Sequence, residues 1–343
     1  MRTRLWRNGV VEKEDFPFED ISDFAVQDDC LVWIGLLSPD ADRMAHLAEE
    51  LSLDPLAVED AVENHERPKA THYDTHTFLT AYALELDRES GELKQAQISA
   101  FVMRHALVTV HSDDWFDIDV AVRRWDENAQ LNKLGGKALA YGLLDVLVDE
   151  HFEVIQALDD EIEGLEDLLF DEAPVISPSS ANEAGPTSRS GSTSASGKHG
   201  LQRRTFALRK SLVQARRVIL PMREVLNTIT RRDANLPEEL RPYFEDLYDH
   251  VLRAAEWTES LRDMISSVFE TNLSLADARL NTIMKKLTSW AAIIAIPTAV
   301  TGFYGQNVPY PGFGQHWGFI TSSAIMVGLV IGLYLMFKHR DWL

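Results

Sequence analysis

Two long apolar runs near the C-terminus constrain this chain more than any other feature. They extend from Leu287 to Tyr304 and from Trp317 to Phe337, and the loop between them, residues 305–316, carries no Asp, Glu, Lys or Arg. Each run has about the length that a helix needs to cross the roughly 30 Å hydrocarbon core of a bilayer. The sequence therefore predicts two transmembrane helices and excludes a wholly soluble fold.

Basic residues that flank these runs predict their orientation. Lys285 and Lys286 precede the first run, and Lys338 and Arg340 follow the second. Because the cytoplasmic flanks of membrane spans are enriched in Lys and Arg, we expect both termini in the cytoplasm and the loop outside. The N-terminal end has no apolar stretch of signal-peptide length, so the large first part of the chain is also expected in the cytoplasm.

Net charge limits the partners of the part outside the membrane. The chain has 343 residues and a formal net charge of −21, and four basic residues and one acid give residues 281–343 a charge of +3, which leaves −24 on residues 1–280. Such an acidic body argues against nucleic acid and anionic lipid and suits cations. The single cysteine, Cys30, excludes an intramolecular disulfide.

The pattern of residues 1–135 predicts a cytoplasmic α/β domain. Three short runs rich in β-branched and aromatic residues are strand-like, and two stretches between the first two runs have helical spacing. The strand-like runs are Leu31–Leu37, Thr77–Leu86 and Ile98–Val110, and the helical stretches are Asp42–Leu53 and Pro55–Val62. We therefore expect a sheet flanked by helices.

Residues 136–235 predict a helical hairpin with arms of opposite charge. Residues 149–172 hold eleven acids and no Lys or Arg, whereas residues 201–232 hold nine Lys or Arg against Glu224 alone. The two helices are expected side by side, joined by a disordered linker at 174–200 that is rich in Ser, Gly and Pro. We attribute the acidic run mainly to this pairing, and attraction of cations is the alternative.

Residues 236–304 predict a stalk helix that continues into the first transmembrane helix. No strong helix breaker occurs between Pro237 and Pro297. A helix of this length spans about 100 Å and could join the cytoplasmic domain to the membrane mechanically. The remaining segments are predicted as the outer loop at 305–316, the second transmembrane helix at 317–338 and a cytoplasmic tail at 339–343.

One face of the first span is small and weakly polar. Steps of three and four residues place seven positions on it, namely Asn281, Met284, Thr288, Ala291, Ala295, Thr298 and Gly302. Such a face either packs closely against another helix or lines a pore. Because the chain has only two spans, a pore would require several copies related by cyclic symmetry.

The segment Gly305-Gln306-Asn307 follows this face directly. It offers backbone carbonyls and two neutral amides without a carboxylate, which suits a hydrated Mg²⁺ ion held by hydrogen bonds. The alternative is a tight interfacial turn anchored by the aromatic residues Tyr304, Tyr310 and Trp317.

These residues also carry a family resemblance. Asn281-x-x-Met284-Lys285-x-Leu287-Thr288, then Pro297, Gly302-x-Tyr304-Gly305-Gln306-Asn307 and the ending Arg340-Asp341-Trp342-Leu343 resemble the CorA family of bacterial magnesium and cobalt transporters, as do segments 32–34, 54–60, 67–69 and 221–226. The resemblance implies a homopentameric funnel in the plasma membrane whose pore is lined by the first span. Gln306 departs from the family's Gly-Met-Asn signature, which has Met at this position.

The same resemblance implies roles for four further residues. Asp87 and Asp246 correspond to regulatory Mg²⁺ sites between subunits, and Met284 and Leu287 correspond to a hydrophobic constriction at the inner end of the pore. No enzymatic motif occurs in the sequence, and the loosely spaced His65, His72 and His76 do not predict a metal cluster.

Three functions remain open at this point. The first is a channel for Mg²⁺, with Co²⁺ or Ni²⁺, that cytoplasmic Mg²⁺ closes. The second is a proton-coupled Zn²⁺ transporter on the same scaffold. The third is a membrane-anchored sensor without conduction.

Overall fold

The computed structural model describes residues 1–63, 66–171, 193–232, 236–306, 309 and 311–343. Within this part, the chain divides into two compact units, Met1–Ser267 and Val268–Leu343. We call them unit 1 and unit 2 and describe each by itself. Unit 1 holds all the strands described below, and unit 2 holds the apolar helices.

Unit 1 is built on a mixed seven-stranded sheet with the spatial order β2-β1-β3-β7-β6-β5-β4. The strands are β1 Arg2–Arg7, β2 Val10–Glu14, β3 Cys30–Leu37, β4 Lys69–His72, β5 Thr77–Asp87, β6 Glu92–Val102 and β7 Ala106–His111. Neighbouring strands are antiparallel except β3 and β7, which are parallel. The predicted helix-flanked sheet is confirmed, but β1, β2 and β4 were not predicted.

The run predicted as one strand at 98–110 is two strands. Strand β6 ends at Val102 and β7 begins at Ala106, and the Met103 N–H donates to the Ala106 carbonyl at 2.9 Å across the turn. Strand β6 from Ala96 onward and the whole of β7 are buried on both faces, so buried residues continue on either side of the turn. The turn residues include no Gly, Pro, Asn or Asp, and the usual sequence signal is therefore missing.

Nine α-helices are described in the ranges given above. They are α1 Ile21–Ala25, α2 Ala41–Glu50, α3 Pro55–Val62, α4 Asp119–Glu127, α5 Ala129–Asn132, α6 Gly136–Asp171, α7 Thr193–Asn227, α8 Arg241–Tyr304 and α9 His316–His339. Side-chain caps fix the starts of α2 and α3: Asp40 accepts the Arg43 N–H at 2.7 Å, and Asp54 accepts the Leu56 N–H at 2.9 Å. Both helices match the prediction.

The helices of unit 1 cover both faces of the sheet and form two cores. One core packs β3, β6 and β7 against α1, α2 and α3, and it includes Met44, Leu47 and Phe101. The other core packs the opposite face against α4, α6, α7 and the beginning of α8, and it includes Trp125 and Phe244. The only cysteine, Cys30, is buried in the first core.

The predicted hairpin corresponds to α6 and α7, which contact each other. Helix α7 begins at Thr193, so residues 193–200 of the predicted disordered linker are helical, and residues 172–192 lie outside the described residues. No proline occurs between Thr193 and Leu220 to end the helix that the basic run forms. The helix can therefore extend toward its N-terminus, because each added residue forms one further backbone hydrogen bond.

Ion pairs among the described side chains join α7 to both α6 and α8. Arg204 of α7 pairs with Glu161 of α6. Arg216 instead pairs with Glu259 of α8 at 2.6 Å, and Asp159 accepts a hydrogen bond from Trp257 of α8 at 3.2 Å. Helix α8 therefore binds some of the charged side chains that the sequence analysis expected to pair within the hairpin.

Helix α8 has 64 residues and contributes to both units. Residues Glu238–Leu240 form a 3-10 turn after Pro237, so the α-helix begins at Arg241, five residues after the predicted start of the stalk. Pro297 lies inside the helix and does not end it. The predicted continuous helix from the stalk into the first apolar run is confirmed.

Candidate ion pathway and regulatory residues

Unit 2 contains two helices that are long and apolar enough to cross a membrane. They are the last part of α8 and the whole of α9. In the most apolar stretch of 18 residues in each helix, 11% of the first and none of the second is buried by the rest of the protein. Since the protein does not cover these side chains, an apolar environment outside the single chain must do so.

Every predicted pore-lining residue of α8 is exposed in the single chain. These residues are Asn281, Met284, Leu287, Thr288, Ala291, Ala295, Thr298 and Gly302. A Cβ atom added to Gly302 would meet nothing within 4 Å. The face that the sequence singled out as small and weakly polar is therefore open along its whole length.

The opposite side of α8 is the side that is buried. Ser289 is fully buried, Ile293 is buried and Val300 is half-buried. At about 100° per residue, this stripe lies roughly 160° around the helix from the predicted pore face. The protein thus covers one side of α8 and leaves the predicted pore face open.

A cleft of about 420 Å³ shows what faces the buried side. It is lined by Val300 and Tyr304 of α8, by loop residues that include Gly312 and Gln315, and by Phe319, Ser322 and Met326 of α9. Helix α9 therefore lies on the side of Val300. The predicted pore face points away from it.

The predicted outer mouth is described only in part. Gly305 and Gln306 are exposed, and their N–H groups donate to Thr301 at 2.8 Å and to Phe303 at 3.4 Å, which closes the end of α8. A Cβ atom on Gly305 would lie 2.9 Å from the Thr301 carbonyl oxygen. Glycine allows this close approach. Asn307 lies outside the described residues.

Two glycines that the sequence analysis missed shape the outer loop. Gly312 has φ +93°, and a Cβ atom on Gly318 would lie 2.3 Å from the Gly312 carbonyl oxygen. The loop therefore contacts the first turn of α9 so closely that a side chain cannot fit at Gly318. The spacing Gly312-x-Gly314-x-x-x-Gly318 was the available signal, and only the structure shows the contact.

Asp87 is the last residue of β5, at the start of the turn that leads to β6. Its carboxylate accepts the Ser90 hydroxyl at 2.7 Å and the Glu89 N–H at 2.9 Å. These hydrogen bonds hold the pKa of Asp87 below its usual value. The Ser211 hydroxyl of α7 donates to the Gly91 carbonyl at 2.7 Å and fixes the turn in place. Asp87 is therefore an exposed, ionised carboxylate at a turn that hydrogen bonds hold in place.

Asp246 lies on the first part of α8, within unit 1. Its carboxylate is exposed and lies 3.9 Å from the His250 ring, one helical turn further on. Tyr141 of α6 lies nearby, and burial, with the negative charges of Asp145 and Asp246, raises its pKa to about 12. Among the described residues, no contact joins Asp246 to Asp87, and no group of three or more His, Cys, Asp or Glu could hold a metal ion.

The fold and the site together define a class of protein: a membrane protein with an acidic α/β domain, a long helix and two C-terminal candidate transmembrane helices. The sequence model of the family described as "CorA-like Mg2+ transporter protein" matches residues 28–176 and 190–339. The chain belongs to this family of transporters of divalent cations.

Relatives of known name agree with this assignment. The chain is 30% identical over 312 residues to the putative metal ion transporter YfjQ of Bacillus subtilis, covering 90% of this chain and 89% of that protein. It is 29% identical to the cobalt/magnesium transport protein CorA of Thermotoga maritima, over 88% of this chain and 80% of that protein.

A solved structure shows the same fold. The complete structure of the CorA magnesium transporter from Methanocaldococcus jannaschii superposes with a TM-score of 0.73 at 22% identity, covering 99% of this chain and 98% of that chain. The predicted arrangement of an N-terminal α/β domain, a long helix and two C-terminal apolar helices is confirmed.

Proposed function

We propose that five copies of this chain assemble in the bacterial plasma membrane into a channel that passes Mg²⁺, and also Co²⁺ and Ni²⁺, down their electrochemical gradient. Membership of a family of divalent cation transporters supports the transport of such cations by this chain. The observation that carries the proposal is the open, weakly polar face of α8, which points away from α9. In a ring of copies this face would line the axis.

The alternative of packing within the chain is not favoured by this geometry. The small residues of the predicted pore face would be expected against α9 if their role were helix packing inside one copy. Instead, α9 lies on the side of Val300. The face, which ends at Gly302, is thus open to lipid, water or other copies, and a symmetric channel would place it against both water and other copies.

At the outer mouth, we propose a ring of neutral oxygen and amide groups from Gly305, Gln306 and Asn307. Mg²⁺ loses its water reluctantly, so neutral acceptors that bind the hydrated ion allow it to leave again. Gln306 adds a hydrogen-bonding amide where a thioether is typical, and we expect capture of the hydrated ion to be kept or strengthened.

On the cytoplasmic side, we propose that Mg²⁺ binds between neighbouring copies through Asp87 and Asp246. Both carboxylates are exposed, and the turn of Asp87 is fixed by hydrogen bonds. Weak sites for hard cations suit carboxylates that retain water. An Asp87→Asn and Asp246→Asn double variant should stay open as Mg²⁺ rises, and normal closure of that variant would exclude the assignment.

A pair of cysteine variants tests the pore. In proteoliposomes, a cationic thiol reagent should block Mg²⁺ flux through Thr298→Cys, whose side chain would face the axis. Val300→Cys is the matched control, since it lies at nearly the same depth but on the side of α9. Cys30 is buried, so the unaltered chain gives the background. Labelled Thr298→Cys protein with full flux would contradict the proposal.

Further variants address the mouth and the ion. Asn307→Ala should lose most of its uptake, whereas Gln306→Met should retain it. A proton-coupled Zn²⁺ transporter is the second candidate, because Gln306 departs from the Mg²⁺ signature. Uptake of Mg²⁺, Co²⁺, Ni²⁺ and Zn²⁺ with and without a pH gradient separates the two functions, and absence of any flux would favour a membrane-anchored sensor.

A further inference from the structure

A cleft of about 470 Å³ lies at one end of the sheet in unit 1, and its lining includes none of the residues assigned to ion transport or its regulation. It is bordered by the β4–β5 turn, the β6–β7 turn and the N-terminal end of α6. Its volume falls within the range of about 300–1,000 Å³ that is typical of small-molecule sites. We call it the basic cleft, after its lining residues Arg104, Lys137, His72 and His76.

Charge in the basic cleft is opposite to that of the whole domain. Arg104 and Lys137 line it, and Asp74 is the one acid among the described lining residues. Asp28 lies 3.6 Å from Arg104, but both side chains are more than 80% exposed, so this surface pair holds Arg104 weakly. In a chain with a net charge of −21, two cations at one cleft suit an anionic ligand.

The N-terminus of α6 adds to the positive potential. This helix has 36 residues and no acid in its first turn. Its first residue, Gly136, is so close to the β6–β7 turn that a Cβ atom would lie 2.2 Å from the Met103 carbonyl oxygen. The first N–H of α6 donates to the Arg104 carbonyl at 2.9 Å, so the positive end of the helix dipole is fixed beside Arg104, where it favours a bound anion.

An unpartnered histidine nitrogen is the observation that specifies the ligand. His76 is 4% exposed and lines the basic cleft, and its ring stacks on Tyr73 and packs against Phe101. Its Nε2 atom has no hydrogen-bond partner among the described residues. A buried polar atom of this kind costs free energy unless a ligand or water satisfies it.

Hydrogen bonds on the other edge of the ring determine its tautomer. The Thr75 hydroxyl donates its only proton to the Ser52 carbonyl at 3.0 Å, and its oxygen lies 2.8 Å from His76 Nδ1. Nδ1 must therefore carry the proton that this second bond needs. Burial lowers the pKa of His76, so the ring is neutral and Nε2 is an acceptor.

We propose that the basic cleft binds a phosphate group that retains a proton, either inorganic phosphate or the monoester of a small metabolite. Arg104, Lys137 and the end of α6 neutralise the oxyanion, and its P–OH group donates to His76 Nε2. A sulfate dianion has the same shape and charge as hydrogen phosphate but no proton to donate. The cleft should therefore discriminate between these two anions.

Calorimetry on the full-length protein in detergent, at pH 7, fixed ionic strength and with a chelator to remove divalent cations, tests this proposal. Inorganic phosphate should bind about tenfold more tightly than sulfate, which is the effect of one hydrogen bond. Glycerol 3-phosphate separates the two sources: tighter binding than phosphate indicates a metabolite, and weaker binding indicates free phosphate. Equal affinity for phosphate and sulfate, or no binding of any phosphate probe, would overturn the proposal.

Variants assign the roles of the individual groups. Arg104→Gln and Lys137→Met should weaken both anions alike, while Arg43→Gln, an exposed arginine of α2, should change neither. His76→Phe keeps the stacked ring but should reduce phosphate binding to the level of sulfate. If His76→Phe fails to fold, Thr75→Val provides the test, because it removes the hydroxyl oxygen that accepts from His76 Nδ1 and so fixes the tautomer. This variant should reduce the difference in affinity between phosphate and sulfate. An unchanged difference in affinity between the two anions would contradict the proposed role of His76.

Discussion

The two units of this chain treat their apolar side chains in opposite ways. In unit 1, large residues such as Trp33, Trp125 and Phe244 are at most 2% exposed and fill two cores around the sheet. In unit 2, large residues such as Trp290 and Val327 are more than half exposed. Both units are rich in apolar residues, so composition alone does not distinguish a core from a membrane-facing surface.

What distinguishes them is the pattern of charge. The apolar runs at 287–304 and 317–337 carry no Asp, Glu, Lys, Arg or His, whereas every helix of ten residues or more in unit 1 carries several such residues. A helix that is apolar around most of its circumference is normally covered by protein or lipid. Unit 2 therefore depends on an apolar environment outside the single chain for the stabilisation that unit 1 obtains from its own cores.

The largest effect is expected from truncating a core tryptophan. Trp125 contacts Trp6 and Trp33 edge to face, and its indole N–H donates to the Leu139 carbonyl at 3.0 Å. Trp125→Ala should lower the free energy of unfolding of unit 1 by about 3–5 kcal/mol. Trp290→Ala in unit 2 is the control and should leave that free energy unchanged. Denaturant titration in detergent, followed by circular dichroism, measures the free energy of unfolding of both variants. Equal losses for the two would contradict the contrast between a buried core in unit 1 and an exposed apolar surface in unit 2.

A charge introduced at an exposed valine should have the next largest effect. Val327 lies at the middle of α9, and Val26 follows α1 in unit 1; both are more than half exposed. Val327→Asp should cost about 3 kcal/mol of membrane insertion, because a carboxylate at the centre of a span is unfavourable. Val26→Asp should stay within about 0.5 kcal/mol, as is usual at a surface in water. Membrane fractionation and yield report the first change, and thermal unfolding reports the second.

Val327→Asp protein that inserts as well as the unaltered chain would show that α9 does not cross the bilayer. A severe loss from Val26→Asp would show that the surface after α1 is covered by another copy or partner. Either result would change the contrast between the two units.

Sequence reasoning was most successful where periodicity and charge act over many residues. The two apolar runs, the long helix α8 and the hairpin helices α6 and α7 were predicted because each pattern persists for several helical turns. Short elements failed for local reasons. Strand β2 is at the edge of the sheet and β1 lies next to it, and both carry charged residues such as Arg4 and Lys13. The turn at Met103 has no turn-forming residue.

For the candidate site, the sequence predicted which face of α8 is distinctive but could not say what opposes it. That requires the position of α9, which follows from the contact of Gly312 with Gly318 and from the cleft near Val300. Asp87 and Asp246 were predicted only through the family resemblance, because an exposed Asp in a turn or on a helix has no distinguishing pattern. Their proposed pairing depends on neighbouring copies.

Acid should destabilise unit 1 through a buried histidine. His151 on α6 is fully buried, its Nε2 lies 2.8 Å from the Tyr82 carbonyl oxygen, and burial lowers its pKa to about 4. The unfolded chain, with an ordinary pKa near 6.5, binds this proton more readily, so stability is lost as the pH falls from 6.5 toward 4. The loss at pH 5 should be about 2 kcal/mol. His151→Gln should remove this pH dependence, and an unchanged profile would exclude His151 as its cause.

The smallest expected effect concerns the charges of the α6–α7 hairpin. Their opposite signs predict pairing, and Arg204 pairs with Glu161, but the Arg204 side chain is nearly half exposed. Arg204→Gln should therefore cost less than about 1 kcal/mol, as exposed pairs usually do.

Arg203→Gln, at the adjacent exposed position, is the matched control for loss of one positive charge without loss of that pair. Denaturant titration at low and high salt measures both variants. A loss of several kcal/mol for Arg204→Gln alone would show that charge holds the hairpin together. A small and similar loss for both variants would assign that role to its buried apolar residues, which include Leu165, Leu208 and Leu212. Unit 1 would then owe its stability to apolar burial even in its most highly charged part, and its acidic surface would remain available to attract cations.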